Sequence, residues 1–545
     1  MALVRRVKGL LLFLLLAPMV TAQQPLPTPS HQEKLGTVNF ATTCNAAAQG
    51  QINRAVALLH SFQFGPATAG FQAALAGDPG CGIAYWGIAL ARWTNPFSAS
   101  MRPVAQLQLG LDAVEQGKKV GAGSKRERAY LDAVGQLYAN YATTDQRSRI
   151  LSYEKAMAGV AAEYPDDKEA TIFYALAMAS AADPADKTYA RQLKAGEILE
   201  KLFAEQPDHP GLAHYIIHAY DVPALAPRAI EAARRYSEIA PSAPHALHMP
   251  SHTFTRVGYW QDSINSNILA AAAARREGQT TEELHSMDYR MYAYLQSGQD
   301  TAARQLLDAL PEVALRFSAN QGPSSAANAS AGYFAMAAIP ARYALERGAW
   351  ADAAKLPAQK SEYPHTVAIT YFARGLGAAR SGDANGARAA AKSLQQLHDR
   401  LLEAKEGYWA LQVEIQRQDV EAWAALAEGH PEEALREMKA AAAMEDGTEK
   451  NAVTPGPIAP ARELLGEMLL QLKHPDLALV EFESTLKKEP NRFRSLYGAA
   501  HAAQLAGNPG ASLRYFGQLL KTCEHADQPP REELAEAQRA QAPLH

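Results

Sequence analysis

Residues 210–256 read PGLAHYIIHAYDVPALAPRAIEAARRYSEIAPSAPHALHMPSHTFTR and contain two pairs of histidines. His214 and His218 form the first pair, and the second pair, His248 and His252, follows 34 residues later. The i, i+4 spacing within each pair places both imidazoles on one face of one helix. A recurrence after 34 residues is typical of stacked helix-turn-helix repeats. The stretch therefore predicts an all-α solenoid whose stacking brings four histidines together.

A second pattern gives the register of the repeats. The second helix of each repeat is expected to carry a small residue, an apolar residue four positions later, and a third packed residue three positions after that. The copies of this frame begin at Ala67, Ala195, Ala229, Ala434, Ala478 and Ser512. A proline closes several of them, as Pro79 and Pro207 do. The frame resembles that of the tetratricopeptide repeat over nearly all of the chain beyond its N-terminus, which implies an α-solenoid of such repeats.

The first 22 residues have the features of a signal peptide. Arg5, Arg6 and Lys8 precede a short apolar run at residues 9–17, and Val20–Ala22 fits a small-residue cleavage site. The alternative interpretation is an uncleaved N-terminal anchor. A signal peptide predicts a periplasmic or secreted protein, and no later apolar stretch approaches the ~20 residues that a membrane span needs.

The rest of the chain divides by composition. Residues 23–36 predict a polar linker and residues 37–317 an N-terminal tetratricopeptide-like solenoid that contains the histidine-rich groove. Residues 318–331 predict a small-residue linker, and residues 332–545 predict C-terminal repeats. A loop at residues 444–460 interrupts the repeats, and it is either a tolerated insertion or a flap over the groove.

The charge balance argues against one class of partner. The net charge is -4 and the isoelectric point is about 6.5. A nucleic-acid partner is not expected, because binding it requires a basic surface that neutralises phosphates.

Cysteine usage leaves two possibilities open at the N-terminal end. In an oxidising, exported setting Cys44 and Cys81 either form a disulfide that staples the first repeats or pack as two small residues. With the disulfide formed, Cys523 is the odd thiol.

The resemblance also indicates which side chains face the concave groove. In tetratricopeptide repeats, positions 2, 5, 9, 12 and 13 of the first helix line that surface. Two consecutive repeats carry these polar residues there: His214, His218, Asp221, His245, His248, His252 and Arg256. The next repeat adds His285, Asp288 and Tyr292.

These residue types point to a metal site. Two histidines at i, i+4 chelate one ion through adjacent imidazoles, and a neighbouring helix completes the coordination. The predicted ligands are His214, His218, His245, His248, His252 and Asp221, with Asp221 acting either directly or by orienting a ligand. Imidazole suits zinc, copper or iron, so the expected cofactor is a transition metal. Two other interpretations stay open: an anionic ligand or peptide terminus held by Arg256 and partly charged histidines, and a purely structural polar network.

Two functions are compatible with this site. The chain contains no HExxH, no GxSxG, no phosphate-binding loop and no dinucleotide fingerprint in a strand-turn-helix setting. The first hypothesis is a binding or scaffold module that holds a peptide, a partner protein or a small ligand in the groove. The second is a metal-dependent hydrolase or oxidoreductase built on the repeats. An enzyme needs converging ligands and a pocket, whereas a scaffold needs a long open groove.

Several stretches also resemble a group of exported bacterial tetratricopeptide proteins. They are residues 78–87, 214–221, 244–258, 372–380, 455–466 and 490–492. The resemblance implies the repeat fold and export, and it implies no particular reaction.

Overall fold

The computed structural model describes residues 33–319 and 326–542, and all regular structure within them is helical. The predicted signal peptide at residues 1–22 lies outside these ranges, as do residues 23–32 of the first predicted linker and 320–325 of the second. From Lys34 onward the chain packs as one compact unit. None of the described helices is both long and apolar enough to span a bilayer.

Twenty-six α-helices make up the described part of the chain. In order they are α1 (Ala46–His60), α2 (Phe64–Gly77), α3 (Ala84–Trp93), α4 (Val104–Val120), α5 (Lys125–Gly135), α6 (Gln146–Glu163), α7 (Lys168–Ser180), α8 (Ala190–Glu205), α9 (Pro210–Ala219), α10 (Ile230–Ile239), α11 (Pro244–His248), α12 (Pro250–Arg256), α13 (Trp260–Arg276), α14 (Thr280–Gln296), α15 (Asp300–Arg316), α16 (Ala329–Glu346), α17 (Trp350–Ala353), α18 (Pro364–Arg380), α19 (Ala384–Glu403), α20 (Gly407–Ala427), α21 (Pro431–Asp446), α22 (Ala461–Gln471), α23 (Pro475–Lys488), α24 (Phe493–Leu505), α25 (Pro509–Thr522) and α26 (Glu532–Gln541). Neighbouring helices pack as antiparallel pairs, and the first helices of successive pairs also stack, α14 on α16, α16 on α18 and α18 on α20. This is the predicted solenoid of tetratricopeptide-like repeats.

The second-helix frame is buried, as predicted. Phe71 in α2, Phe482 in α23 and Phe516 in α25 are at most 1% exposed. Burying an aromatic side chain of this kind contributes roughly 1.5–3 kcal/mol. Phe482 packs this closely because a glycine faces it from α24. A Cβ on Gly498 would lie only 2.4 Å from a ring carbon of Phe482.

Prolines set the starts of the helices that carry the histidine pairs. Pro210 opens α9 and Pro244 opens α11, at positions where the missing N–H has no helical partner to lose. Pro250 separates α11 from α12, yet Met249 between them keeps right-handed helical backbone angles. α11 and α12 therefore form one continuous helical path, and the i, i+4 relation of His248 and His252 is preserved.

The solenoid closes on itself instead of remaining open. The Trp260 indole donates to the Asn491 carbonyl oxygen at 3.0 Å, and the Asn491 amide donates to the Gly258 carbonyl oxygen at 3.2 Å. Gly258 has a φ of +71°, and a Cβ there would meet the Pro490 carbonyl oxygen at 2.4 Å. Further along, the Arg531 guanidinium binds Asp300 at 2.6 Å. The last repeats are thus fixed to the middle of the chain.

The segment between α21 and α22, residues 447–460, runs through the interior of the closed solenoid; we call it the crossing segment. Arg342 of α16 donates to the Pro457 carbonyl oxygen at 2.9 Å. From the N-terminal repeats, Lys187 donates to the Thr448 carbonyl oxygen at 2.6 Å. Of the two interpretations of this loop, the contacts support the flap, because the segment covers the concave side of the repeats that carry the histidines.

Cys44 and Cys81 form a disulfide across a sequence separation of 37 residues. It links the extended segment before α1 to the turn before α3, at the end of the solenoid that has no preceding repeat. The remaining thiol, Cys523, is buried at the end of α25.

Candidate metal centre

Six histidines from three successive repeats meet in the interior; we call them the histidine cluster. They are His214 and His218 on α9, His245 and His248 on α11, His252 on α12 and His285 on α14. None is more than 7% exposed. The cluster contains all five histidines predicted as ligands, together with His285, which had been predicted only as a groove residue.

The first triad consists of His214, His218 and His245. One ligand atom from each residue lies within 4.8 Å of the other two. The ring centroids of His214 and His218 are 4.8 Å apart, and those of His214 and His245 are 5.1 Å apart. Stacking of two repeats therefore adds a third imidazole, that of His245, to the i, i+4 pair. The 34-residue spacing predicted that His248 and His252 would meet this pair; they lie in the same cluster but belong to a second triad.

The second triad repeats this arrangement one unit later with His248, His252 and His285. Its ligand atoms also lie within 4.8 Å of one another. The ring centroids are 5.0 Å apart for His248 and His252 and 4.5 Å apart for His248 and His285. The Nε2 atoms of His248 and His252 face each other at 3.1 Å.

Hydrogen bonds at Nδ1 fix the tautomers of two of these rings. His214 Nδ1 lies 2.6 Å from the His60 carbonyl oxygen, and His252 Nδ1 lies 3.1 Å from Asp221 Oδ2. Both partners are acceptors only, so each Nδ1 carries the proton and donates it. Nε2 of His214 and of neutral His252 then carries a lone pair rather than a proton. Metal-binding histidines are commonly oriented by such a second hydrogen bond.

His248 is oriented by a side-chain amide. Its Nδ1 lies 2.6 Å from Asn267 Oδ1, while Asn267 Nδ2 donates to the Ser263 carbonyl oxygen at 2.8 Å. The second bond identifies the amide oxygen as the atom facing His248, which again places the proton on Nδ1. Nε2 of His248 and Nε2 of His252 are therefore two lone pairs directed at one space.

Four nitrogens of the first triad lack any partner. Nε2 of His214, Nε2 of His218 and both ring nitrogens of His245 are buried without a hydrogen bond among the described residues. Glu282 Oε2 is 3.7 Å from His245 Nδ1, which is too long for a hydrogen bond. Leaving a buried polar atom unsatisfied costs about 1–3 kcal/mol. These four nitrogens are therefore available to bind a ligand.

Burial lowers the pKa of five rings of the cluster. It lowers the pKa of His285 to about 3. It also lowers the pKa of His252 to about 4, although the neighbouring Asp221 carboxylate acts to raise it. Burial, reinforced by the neighbouring imidazoles, holds the pKa values of His214, His218 and His248 well below their usual range. At pH 7 these rings have the deprotonated nitrogen that metal binding requires.

Asp221, predicted as a direct ligand or an orienting partner, lies behind His252. The Arg256 Nε–H donates to Asp221 Oδ1 at 2.9 Å, and Lys450 Nζ of the crossing segment donates to Asp221 Oδ2 at 3.1 Å. Burial alone would raise the pKa of Asp221, but Lys450 and Arg256 outweigh it and hold that pKa well below its usual range. With both oxygens engaged, this carboxylate positions His252. Arg256, predicted to hold a ligand, instead neutralises Asp221.

Asp288 and Tyr292, predicted as groove residues, lie on α14 but outside the cluster. Asp288 Oδ1 accepts from Arg342 Nε at 2.8 Å. The Tyr292 hydroxyl lies 3.1 Å from Arg492 Nη1 of the C-terminal repeats. These side chains hold the closed solenoid together and do not reach the imidazoles of the two triads.

Four residues near the cluster were missed by the sequence analysis. The Tyr289 hydroxyl lies 3.3 Å from the ring nitrogens of His252 and 3.1 Å from the Ala452 carbonyl oxygen of the crossing segment. Glu282 lies three residues before His285 on α14, and Tyr289 lies four residues after it. Helical spacing therefore places both on the same face as His285, so both could have been predicted. Asn267 and Lys450 had no such signal, because their elements meet the cluster only in the folded chain.

A further group, His60, Glu169 and His209, has ligand atoms close enough for a metal ion. Here, however, the two carboxylate oxygens of Glu169 are 2.9 Å from His60 Nε2 and from His209 Nε2. His60 Nδ1 is 2.9 Å from the Tyr215 hydroxyl. This network is internally satisfied, and its role is to support the cluster, since the His60 carbonyl oxygen orients His214.

Two cavities adjoin the cluster. The smaller one offers about 40 Å³ to water-sized molecules and borders His218, His245, His252 and His285. The larger one offers about 590 Å³ and runs past His218 towards the surface at Arg147. The triads are therefore buried but are not sealed from small molecules.

No protein-family model and no curated protein matches the chain. Among solved structures, the human IFIT1 dimer with m7Gppp-AAAA is 10% identical, with 82% of this chain and 90% of that chain covered and a TM-score of 0.36. Yeast Tom70 is 9% identical, with 91% and 95% covered and a TM-score of 0.28. The Cut9–Hcn1 hetero-tetramer of the APC/C is 11% identical, with 91% and 97% covered and a TM-score of 0.30. Scores this low carry no inference about function.

Proposed function

We propose that the protein binds a transition metal through the histidine cluster. The supporting observation is the set of buried imidazole nitrogens that have no partner in the first triad, next to two Nε2 lone pairs directed at one space in the second. Neutral imidazole nitrogens of this kind bind zinc, copper or iron.

A purely structural polar network is the competing explanation, and the geometry favours it less. Buried networks normally satisfy their members, as His60, Glu169 and His209 do. The histidine cluster instead leaves lone pairs without donors, which costs free energy that a bound cation would recover.

A small ligand fits this position better than a peptide. The crossing segment already occupies the concave side, with Lys450 on Asp221 and Ala452 beside Tyr289. A peptide would have to displace these contacts, whereas an ion needs only the space between the imidazoles. Binding of a partner protein elsewhere on the repeats remains a separate hypothesis.

A metal-dependent enzyme, hydrolase or oxidoreductase, is the second candidate function. The observation in its favour is the cavity that borders four of the imidazoles, because catalysis requires an open coordination position with access for a reactant. A storage or structural metal site has no need of such a space.

The test is elemental analysis of protein purified without a metal-affinity tag, beside a His214→Ala/His248→Ala variant. We expect a stoichiometric transition metal in the wild type and its loss in the variant. A His430→Ala variant is the matched control, since His430 is exposed and lies far along the chain in the turn before α21. Absence of metal from folded wild-type protein, even after incubation with zinc or copper, would rule the proposal out.

Export is part of the proposal. The predicted signal peptide and the Cys44–Cys81 disulfide both suit an oxidising compartment, the periplasm or the exterior. N-terminal sequencing of protein recovered from the periplasmic and secreted fractions tests this: the chain is expected to begin at Gln23. Recovery of the intact chain from the cytoplasm alone would contradict it.

A further inference from the structure

We infer that the histidine cluster holds two metal ions, one in each triad, and that the cavity between the triads accepts a small ligand that bridges them. This inference rests on the proposed metal binding and adds to it the number of ions and the class of ligand.

The repeat architecture gives the first reason for two ions. Each triad consists of an i, i+4 pair from one repeat and one histidine from the next: His245 completes the first pair and His285 the second. The geometry separates the six residues into two groups of three, each with its ligand atoms within 4.8 Å. Three protein nitrogens per ion is the usual number at a site that keeps one coordination position open.

The distances give the second reason. Three nitrogens bound to one ion at about 2.0–2.1 Å lie roughly 3.3–3.6 Å from one another. The ligand atoms of each triad lie within 4.8 Å of one another, so side-chain shifts of about 1 Å or less bring them to this geometry. A single ion bound by all six residues would require imidazoles from three successive repeats to converge on one point.

The two sites are neighbours. Across the boundary between them, the ring centroids of His218 and His252 are 5.9 Å apart, and those of His245 and His248 are 6.0 Å apart. Ring contacts this close place the two ions side by side, in the manner of two-metal centres that share a ligand.

The smaller cavity identifies the class of that ligand. It is bordered by two imidazoles from each triad, and its lining among the described residues contains no carboxylate. The cavity lining therefore offers no bridging carboxylate, and we assign the bridge to an external molecule. Its volume of about 40 Å³ leaves room for a ligand larger than a single water. A ligand of roughly one to three heavy atoms with oxygen or nitrogen donors fits: hydroxide, dioxygen or azide.

Copper(II) and azide are the probes for this inference. The full-length protein is loaded with copper(II), its copper content is measured, and its paramagnetic resonance signal is integrated before and after sodium azide is added. We expect about two copper ions per chain and a several-fold loss of the signal with azide, because a bridged copper(II) pair is magnetically coupled.

Two variants report on the triads separately. His214→Ala removes a ligand of the first triad only, and His285→Ala removes a ligand of the second triad only. Each variant should therefore bind about one copper ion, and azide should not reduce its paramagnetic resonance signal. His430→Ala should behave as the wild type. Circular dichroism and thermal unfolding establish whether each variant is folded. If a variant does not fold, the copper content of the wild type still tests the number of ions.

The outcomes separate the two proposals. No copper in the wild type would overturn both the proposed function and this inference. One copper per chain, lost from either variant, would leave metal binding intact and overturn the two-ion centre. Two coppers with an undiminished signal in azide would overturn the bridging ligand.

Discussion

The Nε2 atoms of His248 and His252 lie 3.1 Å apart, although each ring donates its Nδ1–H elsewhere, to Asn267 and to Asp221. Two lone pairs at this distance repel unless a cation lies between them or one ring takes up a second proton. Burial opposes the protonation of His252, because it lowers the pKa of this ring to about 4. This pair is therefore the most sensitive reporter of metal in the molecule.

Metal should stabilise the folded chain through this pair. A ligand present at 100 times its dissociation constant contributes about 2.7 kcal/mol to the free energy of unfolding. Urea unfolding of metal-free protein with and without added zinc measures the increment. A His248→Ala/His252→Ala variant keeps the first triad and should lose only the part of the increment that the second triad contributes, while His430→Ala should retain all of it. Equal increments in the three proteins would mean that zinc acts elsewhere.

Asp221 should matter to the metal without touching it. Asp221→Asn keeps an acceptor for His252 but leaves Arg256 and Lys450 without their buried anion. We expect a loss of stability of about 3–5 kcal/mol, as when one partner of a buried ion pair is removed. The metal affinity should fall about 10–100-fold, as for other residues that orient a ligand. Unfolding in urea and titration against a competing chelator measure the two effects.

The control for Asp221 is Asp262→Asn, on the exposed side of α13. It removes the same charge at a distance from the cluster, and it should change neither the stability in urea nor the metal affinity appreciably. An affinity of Asp221→Asn equal to that of this control would show that the charge of Asp221 does not contribute to metal binding.

Glu445 should make stability depend on pH. Burial raises its pKa from the usual 4.5 to about 7, with Glu489 and Asp446 adding to the effect. The folded chain then holds a proton that the unfolded chain has released, so stability falls as the pH rises from about 4.5 to about 7. Glu445→Gln should remove this loss and be more stable than the wild type at pH 8 by roughly 1–3 kcal/mol.

Urea unfolding at pH 5.5 and pH 8 measures the effect, with exposed Glu432→Gln as the control. The glutamine retains an acceptor for the Ala461 N–H that binds Glu445 Oε2 at 2.9 Å. A Glu445→Gln protein that loses as much stability as the wild type between the two pH values would contradict the assignment.

The Cys44–Cys81 disulfide should stabilise the first repeats. It closes a loop with a sequence separation of 37 residues. In the chain-entropy model a loop of this size contributes about 4 kcal/mol. Thermal unfolding with and without reductant should show this loss, and Cys44→Ser/Cys81→Ser should behave as the reduced protein. Cys523→Ser is the control, since Cys523 has no disulfide partner to lose. If reductant lowers the melting temperature of the double variant as well, the effect does not come from this bond.

The fold was predictable because its determinants are local. The frame residues Phe71, Phe482 and Phe516 are all buried, and each was recognisable from spacing within a single helix. The convergence of His214 and His218 with His245 follows in the same way, since it needs only the stacking of one repeat on the next. Periodicity in the sequence encodes both relationships directly.

What could not be predicted depends on curvature accumulated over many repeats. Lys450 reaches Asp221 across 229 positions of the chain, and Arg492 reaches Tyr292 across 200. Neither contact can be predicted from the spacing of residues within one repeat. For this reason the sequence indicated an exposed groove, whereas in the closed solenoid Lys450 of the crossing segment covers Asp221. The pair of Arg256 with Asp221, by contrast, joins neighbouring repeats and spans only 35 positions.

The crossing segment also bears on how metal enters and leaves. It covers a site built by the N-terminal repeats but is itself tethered by Arg342 and by the repeats that follow it. The ligand set precedes the crossing segment in the chain, so a chain that folds from its N-terminus exposes an open coordination site before the cover is in place. Afterwards, a bound ion would leave when the solenoid opens or through the cavity that runs past His218. We expect the residence time of the metal to depend on these two routes as well as on the strength of the imidazole bonds.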